Sequence, residues 1–399
     1  MKIKTESFYN KILLIDLMIY LYIEIFKCYF EFAQILNFLP DILNLCAVVL
    51  LIKNRKLIIK KNTSSISCAC FLFAVTISIF YGEVNVANAY QRYRYILYGI
   101  ITFHLCIHYM EEKTWYSIIN LLYISQIIHS LFVCYQFFVL KVGSDFANGI
   151  FGFANYNNSM QGLYCLVMSI MGLEFFIKKI MPPKQSITMI VLSCITCAIS
   201  EIKAFFVIFI VVFILIILLN SKSKNELKKY AIIIIIGIIG IYLAYRILLV
   251  IKPGNLVAFG GLNNWLAYEQ FETARAGGYG RATQLVYCYS KIFNSDFLSA
   301  FFGKGLSYRN DLVVYQLSKI FTNFGFFGLG TFLIFLISLA FETFKNKRIN
   351  SEAMISFLMC LVVLISLIVW GEILNRSVFI VFIMLAIGNA NFVAKSKCG

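Results

Sequence analysis

Two arginines, Arg275 and Arg281, bracket three glycines, Gly277, Gly278 and Gly280, in the stretch ARAGGYGR. A planar guanidinium offers a fork of donors suited to phosphate or carboxylate oxygens. Glycines let the backbone fold closely around a ligand. The segment is no phosphate-binding P-loop, since the GxxxxGK[ST] spacing is absent and no strand precedes it. The same eight residues also fit a plain surface turn. A further cation, Lys203, stands beside Glu201 in SEIKAFF at 200–206. Charges near hydrocarbon are expensive and tend to be kept for a task, which makes Lys203 a candidate anion contact. Pairing with Glu201 simply to stabilise a turn is the alternative.

Proton transfer needs an acid or a base within reach of these cations. Glu201, Glu269 and Glu272 are the available carboxylates, with Asp145 more remote. In GIFGFANYNN, Asn155 and Asn158 could present amides to sugar hydroxyls; the stretch also reads as a turn with a helix N-cap at Asn157 or Asn158. Arg309, in FFGKGLSYRN at 301–310, is another basic candidate for substrate binding. The three histidines, His104, His108 and His129, all lie outside the segment that holds the Gly/Arg octapeptide. None of them completes a recognisable metal set, and satisfied helix histidines are the expectation. No metal or cofactor is expected. Asp16 and Glu24, eight residues apart, share a helix face and could form a polar seam or a proton path, while Glu24 and Lys27 could neutralise each other.

The elements that must position these residues are apolar. Hydrophobic residues make up 61% of the 399-residue chain and charged residues only 14%, more apolar surface than a soluble domain can bury. Runs long enough to span a bilayer begin near residues 12, 33, 64, 94, 115, 159, 204, 230, 324 and 354. Shorter candidates lie at 186–200 and 377–388. The expectation is therefore an all-α polytopic membrane protein of about 12 transmembrane helices, each needing roughly 17–25 residues. Residues 1–399 read as one integral membrane domain without a cleavable signal peptide. The run at 187–219 is too long for one comfortable span, and Glu201 to Lys203 break it into two helices joined by a tight turn. Cysteines such as Cys68, Cys70, Cys134, Cys194, Cys197 and Cys360 sit mostly in apolar runs and read as small buried hydrophobes.

The net charge of +16 reads as a topology signal and not as a nucleic-acid footprint. With the N terminus inside, more than half of the 35 basic residues fall in cytoplasmic segments, including KNRKLIIKKN at 53–62, SKSKNELKK at 221–229 and KNKR at 345–348. Both termini are then cytoplasmic. The loop at 141–158 and a large loop at 251–311 lie outside. The large loop carries amphipathic helices expected at 263–276 and 281–293, and turns back through Gly303 and Gly305.

Together these features resemble the O-antigen polymerase and O-antigen ligase superfamily of bacterial envelope polysaccharide enzymes. The likeness covers the whole chain in architecture. Locally it rests on GIFGFANYNNSMQG at 149–162, SEIKAFF at 200–206, GGYGR at 277–281, FFGKG at 301–305 and NFGFFGLG at 323–330. The resemblance implies a membrane glycosyltransferase of the bacterial cytoplasmic membrane. It would polymerise undecaprenyl-pyrophosphate-linked repeat units into O-antigen or capsular polysaccharide at the outer face, without a metal. It places Lys203 and Arg281 against the lipid-linked pyrophosphate, with Arg275 secondary and Glu272 or Glu201 assisting proton transfer. Gly277, Gly278, Gly280, Asn155, Asn158 and Arg309 would contact substrate. A chain-length regulator and a flippase are the implied partners, besides membrane lipid. The chain departs from the pattern in carrying lysine at 203 and no outer-loop histidine, which disfavours the ligase branch. A lipid-linked oligosaccharide flippase or polysaccharide exporter is the rival class.

Overall fold

The computed structural model describes residues 2–30, 38–53, 62–80, 86–153, 157–221, 283–306, 308, 313–346, 350–371, 373–374 and 378–395. All regular structure among them is helical. The helices are α1 (Lys2–Phe30), α2 (Leu39–Lys53), α3 (Thr63–Phe80), α4 (Val86–Tyr109), α5 (Glu112–Cys134), α6 (Asn158–Lys178), α7 (Pro183–Ile199) and α8 (Lys203–Asn220). They continue with α9 (Gln284–Tyr287), α10 (Phe297–Phe302), α11 (Gln316–Phe344), α12 (Ser351–Val369), α13 (Val378–Ile387) and α14 (Asn391–Lys395). Six are long and apolar enough to cross a membrane: α3, α5 with its π-helical extension to Val139, α6, α8, α11 and α12. Helices occupy the other expected span positions too, except the one near residue 230, which lies outside the described residues. The amphipathic helix expected at 263–276 also lies outside them.

The chain divides into two compact units, Met1–Leu122 with Arg275–Gly399, and Tyr123–Ala274. In the first unit α11 packs on α3, α10 and α12, α13 on α4 and α12, and α1 on α2. Its centre is aromatic: Phe71 meets Phe332 at 4.7 Å, and Phe335 lies between Phe103 and Phe382. Several polar groups inside this apolar body are paired, which offsets the cost of their burial. Asn44 Nδ2 donates to Asp16 Oδ2 at 2.8 Å, Arg94 bridges to Asp41 at 3.1 Å, and Lys27 bridges to Glu24 at 3.2 Å. The Glu24–Lys27 pair is the neutralisation anticipated from their spacing. Glu342 near the end of α11 accepts from Ser64 Oγ and N, Asn62 Nδ2 and Asn389 Nδ2, so one carboxylate caps α3 and ties it to the chain after α13.

Helix α11 is broken. Gly325 has φ 67° and ψ −168° in mid-helix, leaving a short segment before it and a long apolar one after it. A break there frees the carbonyls of Thr322 and Asn323 from their helical partners. The N–H of Lys304 takes the first at 2.7 Å and that of Gly305 the second at 3.2 Å. The FFGKG turn and the NFGFFGLG segment thus form one device. A Cβ on Gly325 would overlap the Phe301 carbonyl, and one on Gly303 (φ 86°) would stand 2.5 Å from the Asn323 carbonyl oxygen. Gly325→Ala is therefore expected to lower the detergent melting temperature by several degrees. Left-handed φ alone costs an alanine about 1–2 kcal/mol, and the overlap adds to it. A thermal-shift scan checks this; an unchanged midpoint would mean that the break is not held by these contacts.

In the second unit α6 packs on α7 and α8, and its residues from Ser159 to Phe175 are all buried. Gly172 lies against the Ser186 carbonyl, which permits the close crossing with α7. The expected division of the 187–219 run is present: α7 ends at Ile199 and α8 begins at Lys203. All described cysteines are free thiols. Cys68, Cys197 and Cys360 are buried, as anticipated, whereas Cys70, Cys134 and Cys194 are partly exposed.

Candidate functional site

The turn between α7 and α8 is too short for ordinary loop geometry. Glu201 takes φ 52°, a left-handed conformation that costs a side-chain-bearing residue about 1–2 kcal/mol. The bonds around it hold it there: Ile202 N–H reaches Cys197 O at 2.9 Å, and Lys203 N–H reaches Glu201 O at 2.9 Å. Glu201 and Lys203 are thus presented at the mouth of the helix pair.

The loop after α5 comes to meet them. Gln136 grips Gly149 with both amide atoms, accepting from its N–H at 2.6 Å and donating to its carbonyl at 2.9 Å. The N–H of Ile150 donates to His129 Nδ1 at 3.3 Å, and the His129 ring meets those of Phe151 and Tyr164. Gly149 has φ 58°, and a Cβ there would overlap the His129 ring. Ser200 Oγ donates to Ala147 O at 2.6 Å and accepts from Gln161 Nε2 at 3.0 Å. So fastened, the loop brings Ser144 Oγ to Glu201 Oε1 at 3.1 Å and Asp145 Oδ1 to Asn158 Nδ2 at 3.2 Å.

Of the residues singled out from sequence, the structure joins Glu201, Lys203 and Asn158 at one end of this unit. It adds three details. Glu201 takes its side-chain hydrogen bond from Ser144, a partner 57 positions away that no local reading could supply. Asp145, ranked as remote, acts electrostatically on Glu201. Asn157 stands at the N-cap of α6 but caps nothing with its side chain, which donates to Phe151 O instead. Asn155, Arg275, Gly277, Gly278, Gly280, Arg281, Glu269, Glu272 and Arg309 lie outside the described residues.

Burial pushes the Glu201 carboxyl above the ordinary carboxylate range, and Asp145 pushes the same way. The Ser144 hydroxyl and Lys203 pull against them. A half-buried carboxylate, an exposed second acid and a lysine share this end of the unit. The arrangement can accept a proton and offer a cation to an anion, the two services displacement of an anionic leaving group demands.

In the first unit, two glutamines brace the turns that flank the Gly303–Gly325 device. Gln284 Oε1 accepts from the N–H groups of Val314 and Tyr315, and Gln316 Oε1 from those of Ile373 and Leu374. Asp296 caps α10 through Leu298 and Ser299, and the Ser299 hydroxyl and N–H hold its carboxyl below the usual range. Lys304 lies 5.8 Å over the Phe293 ring, and Lys319 Nζ stands beside Gly371. Neither lysine was singled out from the sequence; the glycine turn beside Lys304 was the available signal. Among the described residues no three His, Cys, Asp or Glu side chains come together as metal ligands. No protein-family model matches the chain, and no curated protein matches it.

Proposed function

We propose that this chain is a multi-pass membrane glycosyltransferase that polymerises lipid-linked oligosaccharide repeat units into O-antigen or capsular polysaccharide. The observation that supports the reading is the meeting of two segments far apart in sequence. The GIFGFANYNNSMQG stretch and the SEIKAFF turn, both picked out by the family resemblance, meet where Gln161 Nε2 donates to Ser200 Oγ, and the loop just before the first brings Ser144 to Glu201. In this reading there are about 12 spans, both termini are cytoplasmic and this end of the unit faces outward at the bacterial cytoplasmic membrane. The acceptor's terminal sugar hydroxyl attacks the anomeric carbon of the donor. Its proton passes to Glu201 as the C–O bond to phosphate breaks, and undecaprenyl pyrophosphate leaves with the electron pair. Lys203 and Arg281, with Arg275 in support, meet the pyrophosphate charge. Gly277, Gly278, Gly280, Asn155, Asn158 and Arg309 contact the glycan or its phosphates. The lack of histidine in the loops at 141–158 and 251–311 favours polymerisation over ligation. The test is whether purified protein elongates a lipid-linked repeat unit; binding or translocation without elongation would make it a flippase or exporter.

A further inference from the structure

The second unit contains a row of buried polar side chains that the transferase reading does not use. On α6, Gln161, Cys165 and Ser169 follow one another at a spacing of four, one above the next on a single face. Opposite them α7 runs antiparallel: Gln161 bonds to Ser200, Cys165 Sγ lies 3.4 Å from Thr196 Oγ1, and Gly172 abuts Ser186. His129 on α5 adds to the row through the contact of its ring with Tyr164, and the buried Gln126 stands three residues before it on the same helix. The row ends at Ser186, near the start of α7, whereas Glu174 lies on another face of α6 and accepts from Asn220 Nδ2 of α8 at 2.9 Å.

Several of these groups are buried without a partner among the described residues. They are both amide atoms of Gln126, His129 Nε2, Gln161 Oε1, Ser169 Oγ and Ser186 Oγ. Gln126, His129, Gln161, Ser169 and Ser186 all have 0% exposure. His129 Nδ1 accepts from Ile150, so the neutral ring carries its proton on Nε2, a donor turned into this interior. A protein does not leave so many buried donors and acceptors dry, and polar sites with several such groups hold water. The geometry suits it. Groups one helical turn apart are about 5.4 Å from each other, close to two hydrogen bonds, so one water bridges each step. Along α7, Ser200, Thr196, Ser193 and Ser186 are buried on one face and cover about 20 Å of helix, two-thirds of a hydrocarbon layer of about 30 Å. An ionisable group, Glu201, stands beside Ser200 at one end, and His129 lies against Tyr164 part-way along.

We infer that this seam is a hydrated proton path through the second unit, a function separate from glycan transfer and not resting on it. Protons move along it by hopping: at each step one O–H or N–H bond breaks as another forms, and no oxidant or reductant is consumed. The test uses the full-length protein in liposomes loaded with a pH-sensitive dye, under a potassium diffusion potential set by valinomycin. Wild-type vesicles are expected to acidify at least fivefold faster than protein-free vesicles. Ser169→Val, which fills the seam, and Gln126→Leu, which removes its widest polar group, are expected to fall within twofold of the protein-free rate. Ser169→Thr keeps a hydroxyl and is expected to keep most of the flux. Elongation of lipid-linked glycan, assayed on the same proteins, separates this inference from the transferase reading and reports folding of the variants. Wild-type flux no faster than protein-free vesicles overturns the inference, as does flux undiminished in both Ser169→Val and Gln126→Leu.

Discussion

Glu201→Gln is expected to lower the elongation rate by about 10²–10⁴-fold, the usual worth of a positioned general base. Glutamine keeps the size and an acceptor oxygen for Ser144, so the turn should hold and substrate binding should change little. The loss would therefore appear in kcat rather than KM, because only the transition state gives up its proton. The pH profile supplies an independent check. Burial and Asp145 raise the Glu201 pKa, so the basic form is lost as pH falls through a value above that of a free glutamate. Wild-type activity should fall on the acid side at that raised pKa. Residual Glu201→Gln activity should lack that acid limb. Wild-type turnover with glutamine at 201 would remove the carboxylate from the mechanism and leave it the role of a turn residue. Asp145→Asn should shift the acid limb downward, since it removes a charge that disfavours the Glu201 carboxylate.

Arg281→Ala is the second large effect, an expected loss of about 10²–10³-fold or more, in line with removal of one donor to a developing anion. Lys203→Ala should act in the same direction. In the proposed reaction the two cations serve one leaving group, so the double variant should lose less than the product of the single losses. Arg281→Lys should recover only part of the rate, because an ammonium keeps the charge without the planar fork. Steady-state elongation rates on variants that reach the membrane at wild-type levels decide the matter. Full activity in Arg281→Ala would return GGYGR to the status of a surface turn.

The legible parts of this molecule were those whose physics is local. An apolar run too long for one span, broken by Glu201 and Lys203, could only be two helices, and α7 and α8 are those helices. Glu24 and Lys27 are three apart on one helix, and they pair. Gly303 and Gly305 announced a turn, and both take positive φ there. What the sequence could not disclose was which distant segments meet. Gly303 read as a local turn and Gly325 only as part of a Gly-containing span start, yet Gly303 makes room for the Asn323–Gly325 backbone and Gly325 for the Phe301 carbonyl. Ser144 had no visible tie to Glu201, and Asp145 read only as the more remote acid. The buried polar row was hidden for another reason: single Ser, Gln and Cys residues in apolar helices are ordinary there, and their spacing of four gains meaning only when a neighbouring helix aligns with it. The span count rests on charge placement for its parity, and on six long apolar helices for the structural part.

The most direct test of the central claim is elongation by the purified full-length protein in nanodiscs. Its substrate would be a lipid-linked single repeat unit isolated from a host lacking this gene, with glycan length read on a gel. A ladder of regularly spaced products from wild type, absent with Arg281→Ala and strongly reduced with Glu201→Gln, is the expected result. Unaltered single units from folded wild-type protein, together with their movement across the bilayer of proteoliposomes, would contradict the account and make the protein a carrier of lipid-linked glycan.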